Sequence, residues 1–103
     1  MSVYDPEAFA DRVNYACLCI KRGTRSRQFD TCCEMDDGNA VVVAVYRRSL
    51  NDPVLAEKIW TAFNQSSVMA EVERYKDVPT RELHKVARKL RQEAQERRQR
   101  EHA

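Results

Sequence analysis

Cys17, Cys19, Cys32 and Cys33 are the side chains here best suited to metal or redox chemistry. Two thiols two apart, then twelve intervening residues and a second, adjacent pair, raise the question of zinc. Structural zinc sites place paired ligands on turns, with two to four residues between them. Cys17 and Cys19 instead fall on a stretch of helical periodicity, where residues two apart do not share a face. Cys32 and Cys33 fall on an alternating stretch that reads as a strand, where neighbours point to opposite sides. One ion would not readily collect all four, so no metal site and no cofactor are expected. Cys17 and Cys33 read as core, and Cys19 and Cys32 as half-exposed thiols. The opening Met1-Ser2-Val3-Tyr4-Asp5-Pro6 lacks a signal-peptide pattern, so the expected compartment is the cytoplasm, where disulfides are rare.

Other catalytic candidates are thin. His84 and His102 are the only histidines, and no thiol or acid is spaced to make a dyad with either. Asp36 and Asp37 precede Gly38 and read as turn residues, in a place too wet to shift a carboxyl pKa far. The only glycines are Gly23 and Gly38, which excludes a glycine-rich phosphate loop. Tyr4, Tyr15 and Tyr75 are not spaced as a base-stacking platform. Trp60 reads as a core or rim residue. No enzyme is expected.

The strongest chemical pattern is charge. From Met1 to Val78 there are ten basic and twelve acidic residues; from Pro79 to Ala103 there are eight and four. At about 100° per residue, the last stretch sorts its side chains by face. Arg81, His84, Lys85, Arg88, Arg91 and Arg98 fall together, interleaved with Gln92, Gln95 and Gln99 and with no acid among them. Arginine and glutamine suit phosphate and base-edge contacts. The plainer reading is a solvated helix laced by the pairs Lys89–Glu93, Glu93–Arg97, Arg97–Glu101 and Glu96–Arg100. Lys21, Arg22, Arg25 and Arg27 form a second, shorter basic cluster.

These residues must be positioned by regular elements. Asp5-Pro6 is a cap followed by a first-turn proline, and Phe9, Val13, Ala16, Cys17 and Ile20 then recur at helical spacing until Gly23. The expected first helix is Pro6 to Arg22. Phe29, Thr31, Cys33 and Met35 alternate with polar residues, Asp37-Gly38 follows, and Asn39 to Tyr46 is rich in valine. That predicts a β-hairpin with Phe29 opposite Tyr46 and Cys33 opposite Val42. Asn51-Asp52-Pro53 starts a helix over Val54–Asn64, broken by Gln65-Ser66-Ser67. Residues 68–76 suit a short helix better than a third strand. Pro79-Thr80 opens a long helix whose apolar stripe is Leu83, Val86, Ala87, Leu90 and Ala94.

The expected fold is therefore a small single α+β domain: N-terminal helix, β-hairpin, one or two short helices and a long basic C-terminal helix. Residues 1–78 form the core, and the first half of 79–103 docks on it. The expected function is a small non-enzymatic interaction protein. Its basic helix, aided by the second cluster, binds an acidic partner: DNA or RNA first, or an acidic protein surface. The alternative is an inhibitor or adaptor of the phage or mobile-element type that occupies a partner protein. The apolar stripe also suits a homodimer seam. No run of transmembrane length is present, and no membrane partner is expected.

Overall fold

In the computed structural model, which describes residues 6–63 and 65–101, the elements are helical throughout. They are α1 Pro6–Arg22, α2 Arg27–Glu34, α3 Gly38–Ser49, α4 Pro53–Ala62, α5 Gln65–Arg74, a 3₁₀ turn Thr80–Glu82 and α6 Leu83–Glu101. No strand occurs among the described residues, so the expected α+β fold is corrected to an all-α one. No helix among them is long and apolar enough to cross a membrane.

The correction falls on residues 27–49. The expected hairpin is a pair of helices joined by the corner at Met35-Asp36-Asp37. A continuous valine run has no period that separates a buried strand from a buried helix, and its β-branched residues bias the reading toward strand. Here the run is the central helix. α3 touches each of the other five helices, and Ala40, Val41, Val43, Ala44 and Val45 are all buried. A helix apolar on every side is stable only where every side is covered. The residues expected to pair across strands separate accordingly. Phe29 stacks on Phe63 with ring centres 6.3 Å apart, and Tyr46 lies against Trp60 at 5.6 Å.

Asp37-Gly38 is not a hairpin loop. Gly38 begins α3, and a Cβ placed there would lie 2.0 Å from the carbonyl oxygen of Cys33. The glycine is needed for this close approach of α2 to α3. Gly23 is different: its φ of +71° is the left-handed conformation that ends α1. There the Thr24 and Gly23 amides donate to the carbonyls of Cys19 and Ile20 at 3.0 and 3.1 Å.

Local signals start the helices on either side. Ser26 caps α2 by accepting from the Phe29 amide at 3.0 Å, and its Oγ lies 2.8 Å from the Tyr15 hydroxyl. Asp52 caps α4 by accepting from the Leu55 amide at 3.2 Å, with Pro53 in the first turn. α4 stops at Ala62, and α5 begins at Gln65, where a break was expected. The proposed cap Asp5, and also Tyr4, Asn64 and His102, lie outside the described residues.

One buried ion pair locks the first three helices together. Arg12 on α1 donates through Nη1 and Nη2 to both oxygens of Asp37, at 2.7 and 2.8 Å, and through Nη2 to the Cys32 carbonyl at 2.8 Å. Asp37 is completely buried and stands at the cap of α3, yet makes no capping bond with its side chain. Its carboxylate is occupied by the arginine. Arg47 performs a related task at the other end of α3, donating to the carbonyls of Tyr75 and Val78. Those bonds secure the segment that leads into α6.

Candidate functional site

α6 is laid on the body by Leu83, Ala87 and Ala94, all buried, with Val86 and Leu90 half-buried beside them. It packs on α3 and α1. Its polar sides follow from that seam by helical geometry. His84 and Arg91, half-buried, flank the seam on one side, and Arg88 and Lys85 stand progressively farther from the body.

The basic strip is not uniform. Arg98 donates from Nη1 and Nη2 to the two carboxylate oxygens of Asp36, at 3.2 and 3.1 Å. Asp36 belongs to the α2–α3 corner, so this pair ties the last turns of α6 to the body across 62 residues of chain. The hydrogen bonds from Arg98 hold the Asp36 carboxyl below its ordinary range, and the charges of Arg91 and Arg97 act in the same direction. Lys85 has Glu82 at 3.5 Å. His84 Nδ1 donates to the Arg81 carbonyl at 2.8 Å. Arg81 and Arg88 are exposed and form no ion pair among the described residues. The pairs expected of Lys89, Arg97 and Arg100 with Glu93, Glu96 and Glu101 are likewise not closed among those residues. Lys89, Arg97 and Arg100 are thus as open as Arg81, but they share their flank with acids.

Beside the strip lies a recess of about 270 Å³ between α1, α3 and the start of α6. Phe9, Val13 and Ala44 line its apolar part, and Arg48, Arg81 and His84 line its basic part. Arg48 donates to Asn14 Oδ1 and lies 4.0 Å from Cys17 Sγ. Arg48 lies just beyond the valine run that was expected to be a strand, outside both basic clusters drawn from sequence. Its helical spacing from Ala44 was the available signal, hidden by the strand assignment.

The second cluster stands elsewhere. The recess borders the first half of α1 through Pro6, Phe9 and Val13, whereas Lys21 and Arg22 end that helix. From Phe9 to Arg22 the helix rises about 20 Å. Lys21 pairs with Asp52 at 3.0 Å and Arg25 with Asp30 at 2.7 Å. Arg22 and Arg27 are exposed. The two basic regions do not form one continuous face with Arg81.

Cys17, Cys19 and Cys32 are buried and Cys33 is half-buried, which corrects the expectation for Cys19, Cys32 and Cys33. On a helix, Cys32 is one turn from Phe29 and joins the inner face, and Cys33 turns partly outward. Burial, and then the neighbouring Cys32, push the Cys33 thiol up to about 12. Burial also raises Cys17, against the opposing influence of Arg48. Among the described residues no three of His, Cys, Asp and Glu gather as a metal-ligand set. Comparison with family models, curated proteins and solved structures gives no match to this chain.

Proposed function

We propose that this protein is a small non-enzymatic nucleic-acid-binding protein that uses the basic strip of α6 and of the 3₁₀ turn before it. One observation carries the reading. Arg81 in the 3₁₀ turn, and Lys85 and Arg88 on α6, follow one another at about one per turn, roughly 5.4 Å of rise, with Glu82 beside Lys85, and α6 is fixed to the body along its length. Leu83, Ala87 and Ala94 hold that helix from below, and Arg98–Asp36 holds its far end. Cations on a fixed helix lose little freedom when they meet a row of phosphates. Arg48 adds a charge from α3 at the edge of the adjoining recess. The mechanism is phosphate neutralisation with little reading of bases, so DNA and RNA are both ligands.

Binding of random duplex and single-stranded oligonucleotides, titrated with salt, tests this. Three phosphate contacts give a slope of log K against log salt of roughly −3 on duplex and −2 on single strands. Reversing Arg81, Lys85 and Arg88 to Glu together abolishes binding at low salt. Reversing Lys89 and Arg100, on the acid-bearing flank, changes it little. Binding that survives the triple reversal overturns the proposal.

The second reading, an inhibitor or adaptor for a partner protein, is favoured by the apolar corner between α3 and α4. Leu50 is 68% exposed and Val54 48%. A single dominant protein recovered by pull-down, unaffected by nuclease and lost with Leu50→Asp, supports that reading over the first.

A further inference from the structure

The cluster at the end of α1, with Arg22, Arg25 and Arg27, is not used by the function proposed above. It borders a cleft of about 410 Å³. The cleft exists because of how three helices pack. α2 and α4 both lean on α1, and Phe29 of α2 meets Phe63 just past the end of α4, with a gap open above the last turns of α1. Cys19 and Ile20 from α1, Phe29 from α2 and Ala62 from α4 give it apolar walls. Its volume lies within the range of small-molecule sites, roughly 300–1,000 Å³.

The polar groups of the cleft carry one sign. Arg25 and Lys58 line it, and no carboxylate does so among the described residues. Asp30 takes up part of the Arg25 charge at 2.7 Å. Lys58 Nζ donates to the Lys21 carbonyl at 2.7 Å, a neutral acceptor, and makes no ion pair among the described residues. A lysine ammonium has three donors, so Lys58 keeps this bond and still has donors for a ligand. Arg22 and Arg27 flank the same loop in sequence and make no ion pair among the described residues.

We infer that this cleft binds a small amphipathic carboxylate, an apolar body ending in a single acid group. The body displaces water from Ile20, Phe29 and Ala62, and the carboxylate meets Lys58. An amphiphile of the same body but opposite charge finds the same apolar walls and is repelled by the cations. The inference stands apart from the nucleic-acid reading, since none of its residues lies on α6.

Calorimetric titration of the full chain with decanoate below its micelle concentration, beside decyltrimethylammonium, is the test. Decanoate is expected to bind once and saturably, with the cationic amphiphile at least about tenfold weaker. Lys58→Met weakens decanoate by roughly two- to fivefold, the effect of one exposed charged contact. Thr61→Trp, at an exposed wall position, fills the opening and removes binding while the circular dichroism stays helical. Amide shifts on binding concentrate at Thr24, Thr61 and Ala62. Absence of saturation, equal binding of the two amphiphiles, or shifts centred on His84 and Arg88 overturns the inference.

Discussion

Asp36 and Asp37 are adjacent, carry the same charge and each hold one arginine from another helix, yet removing them should have very different consequences. Asp37 has no exposure and meets Arg12 through two bonds of 2.7 and 2.8 Å, with Arg12 itself 18% exposed. Asp37→Asn keeps the volume and one acceptor oxygen but leaves the guanidinium without its counter-charge. Breaking a buried pair in this way costs about 3–5 kcal/mol, and the partial exposure of Arg12 places this one near the lower end. Asp36 is 36% exposed and its partner Arg98 56%, so Asp36→Asn loses only about 0–1 kcal/mol. Urea unfolding of both variants measures the contrast. At roughly 4–8 °C per kcal/mol for a domain of this size, the Asp37 variant melts at least about 12 °C lower. Arg12→Met on the Asp37→Asn background should recover part of the loss, because it removes the stranded charge. Equal stabilities for the two single variants, within about 0.5 kcal/mol, would refute the view that burial sets the worth of these pairs.

Three other outcomes follow from the same geometry. Gly38→Ala puts a methyl group 2.0 Å from the Cys33 carbonyl, so the α2–α3 corner must open, at a cost of about 1–3 kcal/mol in chemical denaturation. Cys33, with its thiol pushed up to about 12, stays protonated in the fold at pH 9; iodoacetamide should label it far faster in urea than in the native protein. By linkage its contribution to stability is complete below the ordinary thiol range, near 8.5, and is lost as pH rises toward about 12. Asp36 has the opposite sign: its carboxyl lies below the usual value, so the Arg98 tie is complete above about pH 4 and is lost as pH falls through the lowered value. Amide signals of residues 97–100 should move over that acid range, and the movement should vanish in Asp36→Asn.

The first helix was legible because its inner face, Phe9, Val13, Ala16, Cys17 and Ile20, recurs at one period and ends at a glycine. The start of α4 was legible for a similar reason, since its cap and proline act within a single turn, whereas Pro79-Thr80 opens a 3₁₀ turn and α6 begins only at Leu83. Residues 27–49 were not. The alternation of Phe29, Thr31, Cys33 and Met35 is short, and Phe29 with Cys32 and Cys33 fits a helix equally well. The basic strip could be drawn from spacing alone, but its division into held and open members could not. Arg98 is held by an aspartate 62 residues away, a relation that no helical wheel contains.

The sequence by itself therefore determined the periodic, one-turn features: the boundaries of α1, the cap of α4, the charge sorting of α6 and the segregation of its acids. Tertiary structure alone decided what becomes of a segment apolar on all sides. Asn39 to Tyr46 is a helix because five others surround it, and cover of that kind is a property of the whole chain. The same surroundings turned Asp37 from a turn residue into the buried partner of Arg12, and Asp36, one residue earlier, into the anchor of the last helix. Local pattern sets what each residue prefers. Burial and distant charge, which exist only once the helices have packed, set which preference is realised.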